Sequence, residues 1–274
     1  MGFCCRDRQK GKGGGMSGNA HALIIGGTHG AGRELVRLLA GRGDNVTVVG
    51  RREPRADDAG ISGVSFLRAD ITDAAALPSM LDAAVAQNGP LLKVAFFQRF
   101  RGAGDDWQGE IAVSLAATKN IIELAVPRFA TGGNRAIVAV SSIAGQFVAS
   151  EQPLSYHLGK SGIEQIVRYY AVTLGPLGIR VNCVRPGNML KEESREFYEK
   201  NRALTSLYEK LTPLGRMGTS LECAEVVAFL LSDKASFVTG QNLTMDGGTS
   251  LQWPEGVCRE LAGLNIDVTR KNKG

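Results

Sequence analysis

Gly26-Gly27-Thr28-His29-Gly30-Ala31-Gly32 follows the short apolar run His21–Ile25 and leads into Leu35, Leu38 and Leu39 at helical spacing. Strand, glycine turn and helix in that order form a site for a pyrophosphate. Glycines let the backbone pass close to the ligand, and the helix N-terminus offers free N–H groups and partial positive charge. The spacing Gly26-x3-Gly30-x-Gly32 is a weak signal alone, because any tight turn favours glycine. Its place between strand and helix makes Gly26, Thr28, His29, Gly30, Ala31 and Gly32 the first candidates for cofactor contact.

Working outward, Asn45–Val49, Val64–Leu67, Leu91–Phe97, Ala136–Ser141, Ile179–Val184 and Gln241–Met245 read as strands. Helical patterns fall between them at about 73–87 (with Asp73 as N-cap), 107–126, 155–174 and 221–231. Several of these strands lack polar alternation, as strands buried on both faces do. Alternation of strand and helix therefore predicts an α/β fold: a doubly wound, parallel, seven-stranded Rossmann sheet spanning residues 19–252.

A chain of 274 residues with 43% apolar content can fill one such domain. Its net charge of +5 sits at its ends: Arg6, Arg8, Lys10 and Lys12 near the start, and Arg270, Lys271 and Lys273 at the finish. The body is close to neutral, so no nucleic-acid partner is expected. Residues 1–18 have low complexity and are expected to be disordered, with Met16 an alternative start, and 253–274 reads as a tail. Gly2, Cys4 and Cys5 superficially suit lipidation, but Arg6 stands where the myristoylation pattern wants Ser or Thr. No apolar run approaches a membrane span, and the first residues lack a leader's apolar core. Five cysteines without CxxC spacing predict neither a disulfide framework nor a metal site, and point to a reducing, cytoplasmic setting. Cys183, in an apolar strand, reads as a small buried hydrophobe.

Two further stretches carry chemistry. Arg51-Arg52 follows the second strand, where a carboxylate would suit a ribose hydroxyl and an Arg suits a 2′-phosphate. NADP(H) is thus expected over NAD(H), although a solvated basic loop would look the same. Asp70-Ile71 ends the third strand; Asp70 either holds an adenine amino group or helps start the next helix. The strongest constellation is Ser141-Ser142-Ile143-Ala144-Gly145 followed by Tyr156-His157-Leu158-Gly159-Lys160. Tyr and Lys four apart share a helix face. A neighbouring ammonium favours the phenolate, so such a Tyr can exchange a proton near neutral pH.

With these motifs the chain resembles the short-chain dehydrogenase/reductase family over about residues 20–251. The resemblance includes Gly26, Gly30, Gly32, Asp70, Ser142, Tyr156 and Lys160, then Gly178–Gly187, Pro213–Gly218, Ser236–Gly240 and Met245–Gly248. It implies hydride transfer between a nicotinamide and a carbonyl or alcohol carbon of a small or acyl-type metabolite. Tyr156 would be the acid/base, Lys160 its partner and a ribose ligand, and Ser142 the holder of the substrate oxygen. Backbone around Pro186, Gly187 and Met189 would meet the carboxamide. Enone reduction and a non-catalytic cofactor sensor are the alternatives.

Three departures stand out. Phe96-Phe97-Gln98-Arg99-Phe100-Arg101 replaces the family's N-N-A-G, Ser114 stands where an Asn supports a water-linked proton path, and Ser142 precedes Tyr156 by one residue more than usual. Residues 188–212, with Phe197, Leu204, Tyr208 and Leu211 on one face, form either a lid over the substrate or an ordinary packing helix. The resemblance also implies a homodimer or homotetramer through the helices at 107–126 and 155–174, which carry Ile111, Leu115, Ile163, Ile166 and Val167.

Overall fold

The computed structural model describes residues 19–102 and 106–264. The expectations for residues 1–18, and for the end of the tail from 265, lie outside the described residues. In chain order the strands are β1 (His21–Ile25), β2 (Asn45–Gly50), β3 (Val64–Arg68), β4 (Leu91–Phe96), β5 (Arg135–Val140), β6 (Ile179–Pro186), the short β7 (Met189–Leu190) and β8 (Gly218–Thr219), and β9 (Asn242–Met245). Seven of them form one sheet in the order β3-β2-β1-β4-β5-β6-β9, with every pair parallel. Strands β7 and β8 pair separately. The fold is the expected Rossmann-like one.

Successive side chains of a strand point to opposite faces, so a strand covered on both sides must be apolar throughout. In β1, Leu23 and Ile25 join one core, against Leu81, Ile121, Ile122, Ile163 and Val167. Ala22 and Ile24 join the other, against Leu35, Leu39, Cys223, Val227 and Leu231. The first layer belongs to α2 (Leu77–Asn88), α4 (Ala117–Ala125) and α5 (Leu154–Leu174), the second to α1 (Gly30–Gly41) and α8 (Ser220–Leu231). Each fully buried Leu or Ile contributes roughly 1.5–3 kcal/mol, so the two cores hold the sheet rigid beneath its loops. Cys183 lies fully buried in β6, where burial pushes its thiol up to about 12.

Local chemistry moves several boundaries. Asp73 does not cap α2: its carboxylate accepts from the N–H groups of Ala75 and Ala76 at 3.1 and 3.3 Å, closing a separate turn. The helix then starts at Leu77, ahead of Pro78. The expected 107–126 helix divides into α3 (Trp107–Glu110), a π-helical segment Ile111–Ala116, and α4. The Thr118 hydroxyl donates to the carbonyl of Ser114 at 2.7 Å in that wider turn. Residues 188–212 do not make one helix. Asn201 leaves the helical region at φ −111°, ψ 60°, and separates α6 (Arg195–Lys200) from α7 (Arg202–Leu211), so Phe197 does not share a face with Leu204 and Tyr208. Residues Pro254–Leu261 of the expected tail form α9. Ile163 and Val167 point into the core and are not available for pairing between copies; Leu154, Leu158, Tyr169 and Val172 are the exposed large apolar residues of α5.

Candidate active site

The sheet order reverses between β1 and β4, and in a doubly wound sheet a ligand crevice opens beyond the carboxyl ends of the strands at that point. Gly26 turns away from β1 at φ +82°, and a Cβ there would stand 2.8 Å from the Gln98 nitrogen that follows β4. A Cβ on Gly32 would stand 2.5 Å from the Gly26 carbonyl oxygen. Only glycine lets these backbone segments close up. His29 occupies the N-cap of α1 without capping it; its ring contacts the Thr28 hydroxyl at 3.0 Å. Burial holds His29 below the usual imidazole range, helped by Arg52, Arg101 and Arg55 against the opposing pull of Glu193.

One half of the crevice is lined by Thr28, His29, Arg51, Arg52, Asp70 and Ile71, with Gln98, Arg99 and Arg101 leading to the other half. Arg51 and Arg52 are exposed at its mouth. The Asp70 carboxylate accepts from the N–H of Thr72 at 3.0 Å and from its hydroxyl at 2.7 Å. These two bonds, and more weakly Arg51, hold it below the usual carboxylate range against a small opposing effect of burial. The Asp70 side chain closes a local turn at Thr72 and does not start α2, which begins at Leu77.

The other half is lined by Gly30, Ala31, Gly32, Ser142, Tyr156, Lys160, Pro186, Gly187 and Met189. Helix α5 brings Lys160, 4% exposed, to 5.5 Å from the centre of the Tyr156 ring. Ser142 sits beyond β5 and accepts from the Ala144 N–H at 3.2 Å, which leaves its O–H free to donate. The longer loop between Ser142 and Tyr156 is pinned by His157, which donates from Nδ1 to the Pro153 carbonyl at 2.9 Å and accepts at Nε2 from the Ala149 N–H at 2.9 Å. Beneath the loop, buried Glu164 gathers Ser141 at 3.1 Å and Arg185 at 2.8 and 2.5 Å, fixing β5, α5 and β6 together.

Ser114 is the predicted site residue that the structure keeps out of the crevice. It is fully buried in the π-helical segment, and its hydroxyl donates to Glu110, itself only 3% exposed. Glu110 packs on Gly159, where a Cβ would stand 2.7 Å from its carboxylate. Sequence reading missed Glu110, although a glycine beside Lys160 was the visible trace of it. It missed Lys191 and Glu193 too, because their segment folds back over the turn from far along the chain. Glu193 accepts from the Gly30 N–H at 3.0 Å. Burial alone would raise its carboxyl, but that bond, its own N–H, His29 and Lys191 together hold it below the usual range.

Residues present here fit a dinucleotide. Gln98 lines both halves; its Nε2 donates to Thr118 at 2.7 Å, while its buried Oε1 has no partner among the described residues and presents an acceptor to a ligand hydroxyl. The Glu193 carboxylate shows that the α1 N-terminus accepts an anion. Among the described residues no group of side chains suits a metal ion. No helix among them is long and apolar enough to cross a membrane.

A Rossmann sheet whose glycine turn and Tyr–Lys pair share one crevice defines the class: an oxidoreductase domain built around a dinucleotide. Comparison with known proteins takes the assignment further. Residues 26–250 match the family model described as enoyl-(acyl carrier protein) reductase. The cis-4-hydroxycyclohexanecarboxylate dehydrogenase of Sinomonas cyclohexanicum is 34% identical over 83% of this chain and 95% of its own length. A 3-oxoacyl-[acyl-carrier-protein] reductase of Staphylococcus aureus is 31% identical over 83% and 96%. The solved structure of a short-chain dehydrogenase/reductase from Serratia marcescens superposes with a TM-score of 0.75 at 28% identity, covering 85% of this chain and 98% of that one. The chain belongs to the short-chain dehydrogenase/reductase family, whose members use a nicotinamide cofactor on small-molecule substrates.

Proposed function

We propose that this protein is an NADP(H)-dependent ketoreductase, or the alcohol dehydrogenase of the reverse direction, acting on a small or acyl-type metabolite. The observation that carries the reading is the Tyr156–Lys160 pair, with Lys160 buried beside the phenol ring and both residues opening into the crevice that holds the glycine turn. Gly26, Thr28, His29, Gly30, Ala31 and Gly32 would cradle the pyrophosphate, Arg51 and Arg52 the 2′-phosphate, and backbone at Asp70 and Ile71 the adenine. Pro186, Gly187 and Met189 would hold the carboxamide, and Lys160 the nicotinamide ribose.

When bound, the cofactor supplies or accepts a hydride. The chain's own part is to hold the substrate oxygen and move one proton. Ser142 donates its free O–H to that oxygen, and Tyr156 transfers its phenolic proton to it. Lys160 then stabilises the negative charge left on the phenolate, worth more in a partly water-excluded crevice than in bulk solvent. Ser114, buried against Glu110 and outside the crevice, would take no direct part in the proton transfer. The two relatives are named for chemistry at an oxo or hydroxy carbon, which supports carbonyl reduction, while the enoyl description of the family model keeps enone reduction as the second reading. NADPH oxidation followed by absorbance against a panel of ketones tests the reading; turnover of enones alone would contradict it.

Assembly into a homodimer or homotetramer through α4 and α5 fits the exposed Tyr169 and Val172, and a monomeric mass in light scattering would contradict it. A reducing, cytoplasmic location fits Cys183, Cys223 and Cys258, all free thiols.

A further inference from the structure

We propose that Arg99 and Lys191 form an anion-binding subsite beside Tyr156, so that the substrate carries a carboxylate or phosphate close to its reacting carbon. The inference rests on the oxidoreductase reading above and names the substrate class for the same crevice.

The Arg99 guanidinium lies 5.2 Å from the centre of the Tyr156 ring, at the reactive end of the crevice. Lys191 lines the same half of the crevice, its Cδ 4.0 Å from the point where a Cβ would stand on Gly30. Arg101 lines the crevice between them and His29. Elsewhere in this neighbourhood the fold pairs its cations with carboxylates. Arg33 bonds Asp57 and Asp58 at 2.5 Å each, Arg55 bonds Glu192 at 2.8 Å, and Arg185 bonds Glu164. Arg99, Arg101 and Lys191 have no carboxylate within ion-pair distance among the described residues.

Three cations therefore line one half of the crevice with a single carboxylate among the lining residues, Glu193, whose Oε1 is engaged by the Gly30 N–H. Burial, and then the like charge of Arg99, hold Lys191 below the usual lysine range, with Tyr156 and Glu193 pulling the other way. An anionic group placed there relieves the repulsion and gains charge-assisted bonds to a guanidinium and an ammonium. On the proposed reading the cofactor's 2′-phosphate would take Arg51 and Arg52, which line only the other half of the crevice, whereas Arg99 and Arg101 line both halves. Arg99 instead lies over the ring of the residue that would deliver the proton.

The test uses the NADPH-loaded protein with two matched pairs of probes: acetoacetate against its ethyl ester, and dihydroxyacetone phosphate against dihydroxyacetone. In at least one pair kcat/KM for the anion is expected to exceed that for the neutral partner by about tenfold or more, equivalent to about 1.4 kcal/mol. The favoured pair tells carboxylate from phosphate. Arg99→Gln and Lys191→Met are each expected to lower that anion-to-neutral ratio by roughly tenfold, about one charge-assisted bond. NADPH affinity, read by fluorescence in the same variants, separates substrate binding from cofactor binding. Turnover of neutral probes without anion preference would overturn the subsite and leave the redox reading standing. An unchanged ratio with weakened NADPH binding would assign the cations to the cofactor and overturn it as well. Turnover of no carbonyl probe at all would overturn the redox reading together with the subsite.

Discussion

One substitution, Gly to Ala, made at the two ends of α1 should act in opposite directions. At Gly32 the added methyl would stand 2.5 Å from the Gly26 carbonyl oxygen, 3.1 Å from the Gly27 Cα and 3.2 Å from the Phe97 Cβ. Two of these neighbours are backbone of the turn, so a rotamer change cannot relieve the clash. Overpacking of this kind costs about 1–3 kcal/mol. Better helix propensity returns at most about 1 kcal/mol. At Gly41 nothing lies within 4 Å, and its φ is not in the left-handed region, so only the propensity gain applies. Because the closest contact is backbone at 2.5 Å, a net cost of about 1–2 kcal/mol is expected, and Gly32→Ala should lower Tm by roughly 2–8 °C, at about 2–4 °C per kcal/mol for a domain of this size. Gly41→Ala should raise it slightly. Thermal melts at fixed protein concentration read the stability, and NADPH fluorescence titration reads the site. Gly32→Ala should also lose NADPH affinity, because the atoms that must shift, Gly26 and Gly27, form the turn. Equal Tm and equal NADPH affinity in the two variants would refute the reasoning.

Two shorter predictions follow from charge. Arg51→Ala with Arg52→Ala should weaken NADPH binding by at least about tenfold, from the loss of roughly 1.5–3 kcal/mol of charge-assisted contact, and leave NADH affinity nearly unchanged; parallel fluorescence titrations decide it. Glu222 caps α8 by accepting from the Thr219 N–H at 2.8 Å and pairs with Arg216 at 2.5 Å. The Arg216 bond first, then the Thr219 contacts, lower its carboxyl to about 2 against the opposing effect of burial. A depressed carboxyl stabilises the fold above its unfolded value and ceases to do so as pH falls from about 4.5 towards 2. Glu222→Gln should thus cost about 1 kcal/mol at pH 7, and its Tm should converge with that of the parent chain as pH drops from about 4.5 towards 2.

The sheet was legible because its signal is local: strands buried on both faces read as unbroken apolar runs, and glycines mark the turn after β1. The Tyr156–Lys160 pair was legible because four residues on a helix fix a shared face. What escaped depended on contacts between distant segments. Asp73 could be seen as a helix starter, but not that it would spend its carboxylate on Ala75 and Ala76. Ser114 could be aligned with a relay position, but not that a π-helical turn would bury it against Glu110. Lys191 and Glu193 reach the glycine turn from some 160 residues away along the chain, a distance that no periodicity encodes. Asn201 interrupts the helical pattern of residues 188–212 through its backbone angles, which the charged, helix-favouring residues around it conceal.

The role of Tyr156 bears most directly on the whole account. Removing only the phenolic oxygen in Tyr156→Phe leaves α5 and Lys160 in place, so NADPH affinity should stay within about twofold of the parent chain. Turnover of the best ketone in the NADPH oxidation assay should fall by roughly 10²–10⁴-fold, the usual contribution of a positioned general acid. A variant that binds NADPH normally and keeps a near-parental rate would place the acid elsewhere and contradict the account.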